Sequence, residues 1–203
     1  MRELGQLVLA SGNPGKLREI RALLASLSID VVAQSELGVD EADEPHETFL
    51  ENALAKARHA SRAAGLPALA DDSGLLVEAL GGEPGVQSAY YAGREGVREE
   101  RDARNNARLL DEVARLQDRC AHYCCVMVLV RRADDPQPVV AEGVWRGRIT
   151  LSPRGANGFG YDPLFVPSGS TLTAAELDTA EKNRVSHRAR ALARLIERLR
   201  EEH

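Results

Sequence analysis

Three short stretches of the chain carry residue types suited to a phosphorylated substrate and a divalent metal. "SGNPGKLREI" begins at Ser11, directly after the apolar run Leu7-Val8-Leu9-Ala10. Its glycines free backbone N–H groups, a helix N-terminus would aim them at an anion, and Lys16 adds an ammonium. The match to the common phosphate loop G-x-x-x-x-G-K-[ST] fails twice: the first glycine would fall on Ala10 and the hydroxyl on Leu17. An ordinary strand-to-helix turn, with Gly and Pro placed for geometry, is the competing reading.

The acids form the second group. Asp43, Glu44 and Glu47 cluster in one loop, and Asp71-Asp72 follows the apolar "ALA" at 68–70. Carboxylates at a strand end and in a nearby loop suit Mg2+, which takes a few carboxylates and completes its shell with phosphate oxygens and water. A solvated surface run would explain the loop acids as well, and a turn before Gly74 would explain Asp71-Asp72. Lys16, Lys56 and Lys182 are the only lysines; every other cation is Arg. Lysine serves as a compact point charge for phosphate. Asn52 and Lys56 are four apart and share a helix face. The third group is "ANGFGYDPLF" with "EKNRVSHRARAL". Phe159 and Tyr161, flanked by glycines, offer a ring for stacking on a base, and Asp162 offers an acceptor; a tight turn with one ring in the core is the alternative. Ser186 as N-cap puts His187 and Arg188 in a first helical turn, where cations are locally unfavourable, so a functional reason or a solvent-facing pair must account for them.

Local signals suggest the elements that must position these groups. Strand-like and helix-like segments alternate, the mark of an α/β fold. Leu7–Ala10 reads as a buried strand, and Lys16–Leu27 has apolar residues at helical spacing. Ile29–Ala33 is a second strand and Gly38–Glu47 an acidic loop. Thr48-x-x-Glu51 is a capping box opening a helix to about Ala64, which stops at Gly65. Alanines at 53, 57, 60 and 64 give that helix a stripe able to approach a sheet closely. A short strand, Ala68–Ala70, ends in Asp71-Asp72. Glu99–Gln117 is a charged helix. Ala121–Arg131 and Val139–Ile149 are an antiparallel pair around the turn Asp134–Pro138, Gly155–Pro167 is a loop, and a last helix starts near Ser186. No repeat or linker marks a domain boundary, so the 203 residues are expected to form a single domain.

Composition excludes several classes. A formal net charge of −5 argues against a general nucleic-acid binder. No apolar run approaches the roughly 20 residues that span a bilayer, and Met1-Arg2-Glu3-Leu4-Gly5 lacks a signal-peptide layout. Cys120, Cys124 and Cys125 match neither a disulfide framework nor zinc spacing. Reduced thiols, two of them in the core, and a cytoplasmic location are expected.

In order and spacing, these pieces resemble the inosine triphosphate pyrophosphatase family, the house-cleaning purine nucleoside triphosphatases. The pattern [ST]-x-N-x-x-K is met by Ser11, Asn13 and Lys16. "TF-x-ENA" is met by Thr48, Phe49, Glu51 and Asn52 behind Glu44, and "DDSGL" runs from Asp71 to Leu75, followed by "LGGEPGVQSAYYAG". "GFGYDP" runs from Gly158 to Pro163, and "TAAEL…EKN…SHR" is met by Thr173–Leu177, Glu181–Asn183 and Ser186–Arg188. The resemblance covers nearly the whole chain.

The resemblance implies a two-lobed α/β fold around a long mixed β-sheet flanked by helices, with the active site in the cleft between lobes, and a homodimer. It makes Ser11, Gly12, Asn13, Pro14, Gly15 and Lys16 the triphosphate loop. Glu44, with Asp43 as an alternative, and Asp72 would hold Mg2+, and Asp72 would be the general base, with Ser73 beside the substrate. Asn52 would join the substrate site, and Lys56 and Lys182 would contact phosphate or nucleotide. Phe159, Gly160, Tyr161 and Asp162 would surround the base with His187 and Arg188, whose donors suit a 6-oxo purine. Asn157 stands where a glycine commonly precedes "GFGYD". The implied reaction is hydrolysis of ITP, dITP or XTP to the monophosphate and pyrophosphate, without a covalent intermediate. A non-catalytic nucleotide sensor, or a pyrophosphatase for other modified nucleotides, would use many of the same residues.

Overall fold

The computed structural model describes residues 5–24 and 29–201. Met1–Leu4 and the expected helical end at Leu27 lie outside the described residues. Among the described residues six strands, β1 (Gln6–Leu9), β2 (Asp30–Ala33), β3 (Ala68–Val77), β4 (Cys120–Val130), β5 (Val139–Ile149) and β6 (Phe165–Pro167), form one sheet in the order β2-β1-β3-β4-β5-β6. β1 pairs in parallel with β2 and β3, whereas β5 and β6 are antiparallel. The sheet is therefore mixed, as expected. Five helices accompany it among the described residues: α1 (Pro14–Leu24), α2 (Phe49–Ala64), α3 (Arg98–Val113), α4 (Thr179–Val185) and α5 (His187–Glu201). None of the helices described is long and apolar enough to cross a membrane.

By compactness the chain divides into two units. One comprises residues 1–72, 125–143 and 187–203; the other comprises 73–124 and 144–186. Three of the boundaries fall inside β3, β4 and β5, which is why no linker composition betrays them.

In the first unit, Leu7, Val8 and Leu9 are fully buried, as a parallel strand covered on both faces requires. α2 begins and ends where local chemistry dictates: the Thr48 hydroxyl accepts from the Glu51 N–H, and Gly65 takes the left-handed conformation that closes the helix. Ala53, Ala57 and Ala60 have no exposed surface, so the alanine stripe is the packed face. α5 buries Ala191, Leu192, Leu195 and Leu199 at helical spacing. It approaches β5 at Gly143, where a Cβ would strike the His187 carbonyl and the Ala191 backbone. In the second unit, Tyr123, Trp145 and Phe165 form an aromatic cluster, with Tyr123 and Phe165 edge to face at 4.8 Å. Cys124 and Cys125 are buried and Cys120 is exposed, all as free thiols.

Three expectations are corrected. β3 does not end at Ala70 but continues to Val77, because Leu75 and Val77 join the core of the second unit. Asp71 and Asp72 thus lie inside a strand. The expected loop Gly155–Pro167 ends in a strand, because Phe165–Pro167 pairs with β5 as β6. The last helix starts at His187 as expected, and a short helix absent from the sequence reading, α4, precedes it, capped by Asp178 accepting from the Glu181 N–H.

Candidate active site

Successive residues of a strand point to opposite faces, and β3 uses this to give its two aspartates different partners. Asp71 is fully buried, with an ion pair to Lys16 Nζ at 3.0 Å and an Arg188 Nε contact at 3.4 Å. Burial alone would raise its carboxyl; Lys16, Arg188 and Lys56 outweigh that and hold it well below the usual range. Asp72 faces α2. Its Oδ2 accepts from Asn52 Nδ2 at 3.2 Å, and its Oδ1 lies 3.6 Å from Lys56 Nζ. Here burial prevails and pushes the carboxyl up, with the Glu44 charge adding to it against Lys56, Lys16 and the Asn52 hydrogen bond.

Lys56 stands between two carboxylates, 2.5 Å from Glu44 Oε1 and 3.6 Å from Asp72. Burial disfavours its charge, but Asp72, Glu44 and Asp71 reverse the sign and raise its pKa. Asn52, one turn earlier, has no exposed surface. It brackets the acidic loop by accepting from His46 N–H and donating to the His46 carbonyl. Asn52 and Lys56 therefore act from one face of α2, as their spacing predicts, and bring Glu44 toward Asp72. Asp43 lies exposed in the same loop.

The loop before α1 is ordered by Asn13. Its side-chain oxygen accepts from Gly15 and Lys16 N–H groups, and its own N–H meets the Ser11 hydroxyl. Asn13 is thus the cap and Pro14 the first helical residue, where a missing N–H costs nothing. No acid lies in the first turn of α1 to offset its dipole.

In the second unit, Asp162 organises the "GFGYD" loop. Its Oδ2 accepts from Lys182 Nζ at 2.7 Å and from Phe159 N–H at 2.9 Å. Gly158 has φ +77°, and a Cβ there would strike the Asp162 carboxylate, so glycine is required twice over. Phe159 is half-buried, with Lys182 Nζ 4.9 Å and the Arg98 guanidinium 4.7 Å from its ring centre.

The model of the Ham1 family matches residues 7–198. The chain belongs to the Ham1 family. Among curated relatives of this Ham1-family chain, the dITP/XTP pyrophosphatase of Ralstonia nicotianae is 64% identical over 195 residues, 96% of each chain. That of Nitrosomonas europaea is 58% identical over 198 residues, 98% of this chain and 96% of the relative. A solved structure of a HAM1 protein from Coxiella burnetii superposes with a TM-score of 0.88 at 46% identity, covering 97% of this chain and 98% of that one.

Within this Ham1-family chain the structure gathers Lys16, Asp71, Asp72, Lys56 and Glu44, with the neutral amide of Asn52, into one connected polar set. Ser73 follows in β3, partly buried. Other expected residues have partners that sequence does not reveal. Arg188, 1% exposed, gives Nη1 to Glu19 and Nε to Asp71. His187 is buried at the start of α5. Tyr161 is a core residue whose hydroxyl donates to the Ser88 carbonyl at 2.8 Å. Lys182 is buried in its pair with Asp162. Asn157 is accommodated by its side-chain bond to the Leu177 carbonyl at 3.1 Å. Sequence reasoning missed Glu19, which meets Arg188 across 169 positions, and Glu41, whose carboxylate lies against Gly12. No local pattern marks either.

Proposed function

We propose that this chain hydrolyses non-canonical purine nucleoside triphosphates, ITP, dITP and XTP, to the monophosphate and pyrophosphate. The observation that carries the proposal is the two-faced Asp71-Asp72 pair, which ties one carboxylate to the loop lysine and leaves the other, raised in pKa, among Lys56, Asn52 and Glu44. The names of the curated relatives supply the substrate class.

Mg2+ fits the donor set. Glu44 and Asp72 both approach one cationic centre, the Lys56 ammonium, with hard carboxylate oxygens. Mg2+ takes one or two protein carboxylates and shares the substrate's phosphates. Glu44 and Asp72 would hold it, and when bound it would neutralise developing charge on phosphate oxygens.

The chain's own groups do the rest. Lys16 and the N-terminus of α1 receive the triphosphate, Lys16 exchanging Asp71 for phosphate oxygen. Lys56 offsets further phosphate charge. Asp72, its Oδ2 steadied by Asn52, accepts the proton of the attacking water; the water oxygen bonds to the α-phosphorus as the bond to pyrophosphate breaks. Phe159 offers its ring to the base, and Asp162 with Lys182 fixes the loop that carries it.

The test is a panel of ITP, dITP, XTP, ATP and GTP with Mg2+, measuring pyrophosphate and orthophosphate separately. Pyrophosphate from the first three, in strong preference to the last two, is expected. Stoichiometric orthophosphate from ITP, or equal turnover of ATP, overturns the proposal, and binding without turnover would make the chain a sensor.

A further inference from the structure

We propose that α3 is the frame of the base-recognition loop, with Asp102 and Asn106 as positioning residues and Arg98 as the cover of the Phe159 ring. The inference rests on the proposed function for its substrate, but its geometry stands independently.

Arg98, Asp102 and Asn106 are spaced four apart and form one stripe of α3. Gly160, at the tip of the loop, is gripped through both of its backbone groups. Its N–H donates to Asp102 Oδ2 at 2.9 Å, and its carbonyl accepts from Asn106 Nδ2 at 2.9 Å. Asn106 Nδ2 also donates to the Asp102 carbonyl at 2.8 Å, which fixes the amide against its own helix. The Asn106 Oδ1 is buried with no hydrogen-bond partner among the described residues, an unfavourable arrangement that the two Nδ2 bonds must outweigh. One turn earlier, Arg98 lies over Phe159 at 4.7 Å and 3.7 Å from Asp102 Oδ2. Gly160 has φ +63° and open space at its Cβ position. Gly160 has no side chain to pack, and α3 restrains it through its backbone.

Two anchors therefore set the height and tilt of Phe159. Asp162 and Lys182 hold the loop from within, and the α3 stripe holds its tip. A ring offered to a purine must be fixed before binding, or its ordering is subtracted from affinity. Loss of the α3 grip should weaken substrate binding while leaving the Asp72 chemistry intact.

The experiment compares Asp102→Ala, Asp102→Asn, Asn106→Ala and Arg98→Ala in the full chain by two readouts. The first is amide hydrogen exchange across 157–163 without nucleotide. The second is steady-state kinetics with ITP and Mg2+. Faster exchange confined to the loop is expected in Asp102→Ala and Asn106→Ala. Their KM should rise about tenfold with kcat within about twofold, the signature of lost binding of substrate and transition state alike. Asp102→Asn keeps an acceptor for the Gly160 N–H and should recover most of the affinity. Arg98→Ala, which leaves both hydrogen bonds in place, should raise KM alone. Unchanged loop exchange, a fall in kcat with unchanged KM, or Asp102→Asn as impaired as Asp102→Ala would each overturn the inference. Wild-type protein inactive on ITP would overturn the proposed function and the nucleotide half of this inference, whereas exchange would still decide the grip.

Discussion

At the residue scale, adjacent aspartates of one strand have opposite electrostatic situations. Asp71 is stabilised as a carboxylate by Lys16 and Arg188; Asp72 is raised by burial and by Glu44. A carboxyl whose folded pKa lies above its unfolded value adds stability at low pH and loses it as pH rises through the folded value. Ionising Asp72 is therefore a cost to the unliganded fold. Asp72→Asn should melt no lower than wild type at pH 7 without metal, yet release pyrophosphate about 10²–10⁴-fold more slowly. Near-normal turnover in the folded variant would remove Asp72 as the base. Arg188 invites the converse test. The family resemblance places it beside the base, and its guanidinium also pairs with Asp71 and Glu19. Removing one partner of a buried ionic cluster costs roughly 3–5 kcal/mol. Arg188→Ala should therefore lower the thermal midpoint and cut ITP and ATP turnover together; a narrowed ITP-to-ATP ratio would restore a base-reading role.

At the element scale, α2 carries two site residues on a helix whose start is set by one hydroxyl. Thr48→Ala removes the acceptor for Glu51 N–H. It should cost about 1 kcal/mol, or about 2–4 °C in Tm for a chain of this size, with Thr48→Ser restoring it; an unchanged Tm would show that packing of the alanine face alone fixes the helix. The turn between β4 and β5 depends on Asp135, which accepts from the N–H groups of Arg131 and Gln137 at 2.9 Å each. Burial raises its carboxyl, but those bonds and the Arg131 charge outweigh it, leaving it below its ordinary 3.8. Its contribution is thus present above about pH 4 and is lost as pH falls through the lower folded value. Asp135→Ala should cost about 1–2 kcal/mol at pH 7, and the gap between variant and wild-type urea midpoints should shrink toward pH 3. A gap independent of pH would show that the turn does not use the charge.

At the scale of the whole molecule, β3, β4 and β5 each contribute residues to both compact units. Trp145, the only tryptophan, lies buried in the second unit, and Leu69, without exposed surface, lies in the core of the first. Leu69→Ala should cost about 2–5 kcal/mol and lower the urea midpoint read by Trp145 fluorescence; an unmoved fluorescence midpoint would mean that the units unfold separately. How far the sequence reached follows from the range of each interaction. Thr48, Glu51 and Gly65 settle α2 because capping acts across three or four residues, and the motifs at 11–16, 71–75 and 158–163 carry the family because each is a contiguous backbone device. The alanine stripe and the buried run at 7–9 were legible for the same reason. The extension of β3 past Ala70 was not, since Asp-Asp-Ser-Gly reads locally as a turn and only a second core beyond it, at Leu75 and Val77, makes it strand. Nor were the partners legible: Lys16 with Asp71, Arg188 with Glu19, Lys182 with Asp162, and Gly160 with Asp102 and Asn106 meet across 20 to 169 positions. Sheet order and helix docking bring those charges within about 3 Å of one another, and Coulomb energy and desolvation depend on that separation in space and on burial, neither of which spacing along the chain encodes.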